Sequence, residues 1–276
     1  MHPLTVTWAP HAYTDVGRRN MDTWLAAGFD NLLVTPNPRV HRTLTRLAFV
    51  HLLHPFQPFV LGQRSLAPKI AQRFDIGLVF FGEDDAEYEG QPGWQEQPEV
   101  TEAHLFESRH IEETVHISGV PVGALLRDHG LTKADLWMYL PPYVDHARPM
   151  ATHALGHYVR WDPEAAYYFA AEHGFEANEE RTEGTFTKFN SIDDRLDPLH
   201  YFTTFTKFGV GRASHDASME IRHGRLTREE GVGLVHRYDH EIRESTVEFA
   251  CAYMGLTVDE FWATIKRFKR EYPQVA

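Results

Sequence analysis

The residues whose types and spacing suggest chemistry most directly lie between Lys207 and Glu230, in the stretch KFGVGRASHDASMEIRHGRLTREE. Gly209 and Gly211 flank Val210, so the backbone can turn sharply there and approach a ligand closely. Five cations fall in this stretch of a chain whose formal net charge is -12: Lys207, Arg212, Arg222, Arg225 and Arg228. Such a cluster in an acidic protein indicates an anion-binding loop, with phosphate as the obvious ligand. A helix-capping turn with solvated charges explains the same pattern.

Two side chains among these cations suggest proton chemistry. His215 is a residue type that changes charge near neutral pH, and Asp216 follows it directly. Either residue could take a proton from an incoming nucleophile. A purely structural role accounts for both residues equally well.

Length and composition limit the class of protein. The 276 residues suffice for one large domain or two modest ones, and a hydrophobic content of 42% supports a real core. No apolar run approaches the roughly 20 residues of a membrane span, and no secretory signal follows Met1. The 39 acidic residues against 27 basic ones argue against nucleic-acid binding. Because Cys251 is the single cysteine, no intramolecular disulfide can form, which fits a reducing cytoplasm.

The first 82 residues alternate between strand-like and helix-like segments. The predicted strands are the apolar runs Leu4–Trp8, Asn31–Thr35 and Ile76–Phe81. Such alternation predicts an α/β fold with one parallel sheet covered by helices. In parallel sheets, ligands bind beyond the carboxyl ends of the strands. The segments expected at those ends are Trp8-Ala9-Pro10, Thr35-Pro36-Asn37 and Gly82-Glu83.

Helix signals and a change of composition organise the rest of the chain. Capping residues predict four helix starts: Asp15, Asp162 with Pro163, Thr227 with Glu230, and Thr257. Gly62-Gln63 predicts a turn before the third helix, and Leu155–Trp161 predicts a further strand. The acidic stretch Asp84 to Glu102 is typical of a solvated excursion or a lid. We therefore predict an α/β domain over residues 1–90 and a mixed, mainly helical region over residues 91–276.

General catalytic motifs are absent from the sequence, which contains no GxxxxGK[ST], GxGxxG, GxSxG or HExxH pattern. Longer strings are more specific. They are TWAPHAYTDVGRRN (7–20), VTPNPRVHRTLTRLAF (34–49), HPFQPFVLGQ (54–63), APKIA (67–71), GEDDAEYEG (82–90) and the 207–230 stretch. Over about residues 4–240, these strings resemble the N-acetyl sugar amidotransferases of surface-polysaccharide biosynthesis, which are relatives of the PP-loop ATP pyrophosphatases.

The resemblance implies a fold, a reaction and partners. The fold is an adenine-nucleotide α-hydrolase-like parallel sheet with a helical C-terminal extension. The reaction uses ATP and Mg²⁺ to activate the N-acetyl amide of a sugar or nucleotide-sugar, and ammonia then displaces AMP to leave an acetamidino group. The partners are a glutaminase and a cyclase-like protein that supply the ammonia.

The sequence departs from the family pattern at its start. The family carries an SGGxDS-type PP-loop between its first strand and first helix, and this sequence has none. Because Leu4–Trp8 matches the family's second strand, we expect the ancestral chain to begin before Met1. The resemblance therefore leaves an alternative, namely a non-catalytic remnant or accessory subunit that binds the sugar nucleotide or the glutaminase. A tRNA-modifying enzyme on the same fold is a third possibility, disfavoured by the acidic balance.

The candidate site residues follow from the motifs and from the resemblance. Thr35, Asn37, Gly62, Gln63 and Gly82 are expected to contact the nucleotide. Lys207, Gly209, Arg212 and Arg222 are expected to bind phosphate or a sugar carboxylate. His215, Asp216 and Glu83 are the candidate catalytic residues, and Glu87 is the candidate Mg²⁺ ligand. Lys69 is interpreted as a solvated helix charge, and the pair Asp193-Asp194 is a further candidate.

Overall fold

The computed structural model describes residues 2–82, 111–142 and 150–272. Within these ranges the chain forms twelve α-helices, six short strands and one 3₁₀ turn. The strands are β1 (Leu4–Trp8), β2 (Asp30–Val34), β3 (Leu78–Phe81), β4 (His116–Ile117), β5 (Val120–Pro121) and β6 (Ala151–Ala154). The helices are α1 (Asp15–Ala26), α2 (Pro38–Leu52), α3 (Gln57–Phe74), α4 (Ile111–Thr114), α5 (Val122–Asp128), α6 (Lys133–Leu136), α7 (Pro163–Glu172), α8 (Asp197–Phe208), α9 (Arg212–Arg222), α10 (Arg228–Tyr238), α11 (Glu244–Met254) and α12 (Val258–Glu271).

The α/β class is confirmed, but the single parallel sheet is wrong. β1 and β2 pair in parallel, with α1 as the crossover between them. β3 pairs in parallel with β6, and within the described ranges it does not join β1 or β2. The strand predicted over Leu155–Trp161 is also wrong, because the strand ends at Ala154 and a 3₁₀ turn follows it. The chain thus holds two small parallel pairs, and its second half is mainly helical.

Side-chain caps define several helix ends. Asp162 and the capping boxes at Thr227 and Thr257 are confirmed as predicted. The first cap differs, because Thr14 accepts from Gly17 N and the predicted cap, Asp15, is the first helical residue. An acidic residue there still interacts favourably with the helix dipole.

The third helix begins earlier than predicted. Gly62 and Gln63 lie inside α3, which starts at Gln57, rather than in a turn before it. The missing side chain of Gly62 makes room for an indole ring, because a Cβ at this position would lie 2.4 Å from ring carbons of Trp8. Gly62 therefore lets α3 pack against β1, a reason that the local sequence does not reveal.

Gly62→Ala should destabilise the protein by about 1–2 kcal/mol. Overpacking typically costs about 1–3 kcal/mol, and up to about 1 kcal/mol returns because alanine favours a helix. Gly82→Ala is the matched control, since nothing lies within 4 Å of a Cβ built there. Urea unfolding of the two variants checks this difference, and equal midpoints would contradict it.

Two clusters of buried side chains hold the elements together. In the first, α2 packs against α8, α11 and α12, and Phe49 stacks on Phe261 with ring centroids 5.0 Å apart. In the second, Trp8 and α2 pack against the segment from Ile117 to Tyr139. Because α2 contributes buried residues to both clusters, it lies at the centre of the packing.

Long-range hydrogen bonds fasten α2 to the C-terminal helices. Arg46 donates to the carbonyl of Gly255 over 3.0 Å, and Arg267 donates to the carbonyl of Val50, 217 residues earlier in the chain. The division of the chain near residue 90 stays a prediction. The acidic stretch Asp84 to Glu102 lies outside the described residues.

In the described segments, no helix combines the length and the apolar character that crossing a bilayer requires.

Candidate functional site

The carboxyl end of β1 leads into a loop that meets residues 191–196 from far along the chain. A backbone bridge joins Tyr13 to Asp194, and Thr14 donates its hydroxyl hydrogen to the carbonyl of Ile192. The C-terminal region therefore covers the strand end at which parallel sheets bind ligands.

Asp194 is the side chain that joins the two regions. It is 3% exposed, and its Oδ2 accepts from His11 N at 2.6 Å and from His11 Nδ1 at 3.0 Å. Its Oδ1 accepts from Leu196 N at 2.8 Å. Because a carboxylate oxygen can only accept, Nδ1 of His11 carries the hydrogen of this bond, which in a neutral ring makes Nε2 the acceptor. Asp194 thus sets both the orientation and the tautomer of His11.

A second buried histidine lies against His11. The ring centroids of His11 and His41 are 4.4 Å apart, and Nδ1 of His41 shares a 2.9 Å hydrogen bond with the hydroxyl of Tyr139. The Nε2 atoms of both histidines are buried and have no hydrogen-bond partner among the described residues. Buried polar atoms are normally paired, so unpaired ones call for an explanation such as a catalytic role.

The ring stack continues towards the C-terminal helices. Phe56 lies between His11 and His200, with a centroid distance of 4.8 Å to each. His54 then stacks on His200 at 5.3 Å. Four imidazoles and one phenyl ring therefore form a continuous row between β1 and α8, which we call the histidine row: His41, His11, Phe56, His200 and His54.

Burial keeps most of this row uncharged. It lowers the pKa of His54 to about 4, with smaller contributions from Lys207 and Arg64. It also lowers the pKa values of His41 and His200 well below the usual 6.5. These three imidazoles are therefore neutral at pH 7.

Asp194 also lines a polar cavity of about 260 Å³. Three arginines (Arg181, Arg195 and Arg243), the buried carboxylate of Glu183, the hydroxyls of Thr14, Ser191, Ser245 and Thr246, and the ring of Phe249 contribute to its walls. A cavity of this composition suits a polar ligand with an apolar face.

Both carboxylates of the cavity wall are already satisfied by the protein. Glu183 accepts from Arg243 N and from the Thr246 hydroxyl, and so caps the start of α11. Asp194 is held by His11. Arg181 forms a bidentate pair with Glu241, with both N–O distances at 2.7 Å. The negative groups of the wall are thus engaged within the protein.

The stretch from Lys207 to Glu230 is mainly helical, and the helix-capping turn that explained its glycines equally well is present at Gly209 and Gly211. Lys207 lies in the last turn of α8, Gly209 ends that helix with a φ of 72°, and α9 begins at Arg212. Only a short turn separates the two helices. Lys207 donates to the carbonyl of Leu52 over 2.9 Å, which satisfies the end of α2. The cations of this stretch are therefore carried by three successive helices, α8, α9 and α10, and by Arg225 in the turn between α9 and α10.

Arg212 and Asp216 form a buried ion pair. Arg212 is 9% exposed and Asp216 is 4% exposed, and the shortest distance between guanidinium and carboxylate is 2.9 Å. Asp216 also accepts from Thr185, Thr187 and Asn190. This network favours the structural interpretation of both residues. Burial lowers the pKa of the neighbouring His215, and Arg212 lowers it further.

Two other cations also make internal contacts. The interpretation of Lys69 as a solvated charge is wrong: it donates to the carbonyls of Trp137 and Leu140, and burial lowers its pKa to about 8. Arg222 donates to the sulfur of Met219 and borders a largely apolar cavity of about 450 Å³ between α9 and α10.

The predicted nucleotide contacts are dispersed over different elements. Asn37 caps α2 by accepting from Arg39 N at 3.0 Å, and Thr35 is exposed just before it. Gly62 and Gln63 lie within α3, and Gly82 is exposed after β3. Contact of these residues with a nucleotide stays a prediction.

Two acidic candidates lie outside the described residues: Glu83, expected to be catalytic, and Glu87, expected to bind Mg²⁺. In the ranges 2–82, 111–142 and 150–272, no three His, Cys, Asp or Glu side chains are arranged to hold a metal ion. Binding of Mg²⁺ by Glu87 stays a prediction.

Sequence reasoning missed the histidine row and gave Asp194 little weight. A signal was present, because three of the quoted strings supply the row: His11 belongs to residues 7–20, His41 to 34–49, and His54 and Phe56 to 54–63. Asp194 lies 183 residues from His11, and only the folded chain brings the two together.

The fold and the cavity define an α/β protein with a mainly helical C-terminal region that closes over the end of a parallel strand pair. Residues 183–274 match the family model of the C-terminal domain of WbpG-like lipopolysaccharide biosynthesis proteins. The match covers a third of the chain and includes Asp194, Arg195, His200 and Phe249. It supports a role in lipopolysaccharide or sugar biosynthesis. A comparison with curated proteins finds no match.

Proposed function

We propose that this protein takes part in ATP-dependent amidotransfer to an N-acetyl sugar of a surface polysaccharide. One observation carries the proposal. Asp194, which belongs to the segment that matches the WbpG-like domain, orients His11, which belongs to the string resembling the amidotransferases. Two segments that carry sequence similarity, one at each end of the chain, thus meet in one hydrogen-bonded pair beside a polar cavity.

The proposed chemistry overcomes the low reactivity of an amide. The amide oxygen attacks the α-phosphorus of ATP and releases pyrophosphate, which turns that oxygen into part of a leaving group. Ammonia attacks the resulting imidate carbon, the carbon–oxygen bond to AMP breaks, and the nitrogen loses a proton to give the acetamidino group. We propose that Nε2 of His11, which Asp194 orients and which has no hydrogen-bond partner among the described residues, accepts this proton.

The roles of the cofactors and partners come from the resemblance. ATP and Mg²⁺ would supply activation and charge neutralisation at the departing pyrophosphate. A glutaminase with a cyclase-like protein would supply ammonia. We place the sugar in the cavity, because its hydroxyl groups and the ring of Phe249 offer the polar and apolar contacts that sugars require.

Incubation of the protein with ATP, ammonium and a UDP-linked N-acetyl sugar tests the proposal. We expect release of AMP and pyrophosphate, and a sugar product in which NH replaces one oxygen in its mass spectrum. Asp194→Asn, which alters the tautomer of His11, should abolish this product, whereas Asp22→Asn on the exposed surface of α1 should not.

The alternative role predicts a different result from the same reagents. A non-catalytic subunit would bind the sugar nucleotide or the glutaminase without releasing AMP, including when the ammonia-supplying partners are present. Failure to bind any of these ligands would contradict both roles.

A further inference from the structure

Arg195, on the cavity wall, packs against an aromatic ring and has no acidic partner among the described residues. The guanidinium of Arg195 lies over the ring of Phe249, 3.7 Å from the ring centroid. Arg195 is exposed, and no carboxylate among the described residues pairs with it. A guanidinium over an aromatic face gains a cation–π attraction and keeps its N–H donors for hydrogen bonding.

Neighbouring groups add to the positive character of this wall. Arg243 is on the same cavity, its side chain is 54% exposed, and its nearest carboxylate oxygen, on Glu183, is 3.9 Å away. Ser191 and Ser245 contribute hydroxyl groups. Glu183 and Asp194 accept hydrogen bonds within the protein, as described above, so the cavity presents donors to a ligand.

We propose that Arg195 and Arg243 form an anion-binding site in this cavity for a carboxylate or phosphate group attached to a sugar. A guanidinium matches the planar, bidentate geometry of a carboxylate and also binds phosphate oxygens. The ring of Phe249 and the serine hydroxyls then contact the sugar that carries the anion. This inference rests on the proposed function for the choice of a sugar, but it assigns the anion to residues that the sequence did not indicate.

Two of the cations expected to bind an anion in residues 207–230 are engaged within the protein. Lys207 donates to the carbonyl of Leu52. Arg212 donates to the hydroxyl of Tyr201 and to the carboxylate of Asp216. Arg195 has no such internal partner among the described residues. The positive charge available to a ligand thus lies beside β1 rather than at the turn between α8 and α9.

Isothermal titration calorimetry of the full chain with small anionic and neutral sugars tests the site, without ATP or ammonia. The probes are glucuronate, glucose 1-phosphate and neutral N-acetylglucosamine. We expect one of the two anions to bind at least about 10-fold more tightly than the neutral sugar, as a charge-assisted pair allows. Preference for glucuronate would assign a carboxylate, and preference for glucose 1-phosphate would assign a phosphate.

Arg195→Leu keeps apolar contact with Phe249 and removes the charge, so it should weaken binding of the preferred anion by about 10-fold or more. Arg18→Leu is the matched control, because Arg18 lies over Tyr13 on exposed α1 and pairs with Asp22. Unchanged affinity in Arg195→Leu, or no anion binding by the folded wild type at millimolar concentration, would overturn the proposal. Because no turnover is measured, loss of amidotransfer with anion binding intact would refute only the proposed function.

Discussion

Asp216→Ala is expected to destabilise the folded protein by about 3–5 kcal/mol, the usual effect of breaking a buried ion pair by removing one partner. The substitution leaves the guanidinium of Arg212 buried without its counter-ion. It also strands the donors of Thr185, Thr187 and Asn190. Urea unfolding followed by circular dichroism measures the change.

A double variant separates this structural role from a catalytic one. Arg212→Met combined with Asp216→Leu removes both charges and should recover part of the lost stability, because an apolar pair avoids the cost of burying ions. If Asp216→Ala were as stable as the wild type, the structural interpretation would be wrong, and proton transfer by Asp216 would become the better explanation.

Acidification from pH 7 to pH 4 should destabilise the protein through the histidine row. In the unfolded chain His54 binds a proton near its ordinary pKa of 6.5, whereas burial lowers its pKa in the folded protein to about 4. Its contribution is fully present above pH 6.5 and is lost as the pH falls towards 4, by about 3 kcal/mol for this residue alone. The lowered pKa values of His41, His200 and His215 act in the same direction.

Asp197 opposes this trend. Burial, with a smaller effect of Asp193, raises its pKa from 3.8 to about 7. Burying the charged carboxylate destabilises the folded protein, and this destabilisation disappears as the carboxylate is protonated at lower pH. Four histidines outweigh this one carboxyl group, and the net effect of acid is destabilising.

Thermal unfolding at pH 7 and pH 4.5 measures the difference. His54→Gln should flatten the pH dependence, Asp197→Asn should steepen it, and the exposed His236→Gln should leave it unchanged. An identical pH dependence in wild type and His54→Gln would show that burial of His54 is not the cause.

Local signals predicted helix starts well and strand pairing poorly. The boxes at Thr227 and Thr257 depend on residues three positions apart, so sequence alone contains the whole interaction. The position of Gly62 inside α3 depends on the indole of Trp8, and the partner of β3 lies beyond residue 150. Neither contact can be recognised from the residues next to it in the sequence.

The candidate site shows the same limit. Three motif strings indicated where the chain carries unusual residues, but they did not show that His11, His41 and His54 align in one row. The cationic stretch was conspicuous in sequence, yet Lys207 and Arg212 donate hydrogen bonds to acceptors within the protein. Arg195 has ordinary sequence neighbours, and only its stacking on Phe249 distinguishes it.

The central position of α2 has a consequence for how the protein folds while it is being translated. Its buried face is completed by Phe261, and the carbonyl of Val50 is satisfied by Arg267, 217 residues later. During translation these partners emerge from the ribosome long after α2 itself. Until then, the nascent chain carries α2 with one apolar side uncovered, exposed to chaperones and to aggregation.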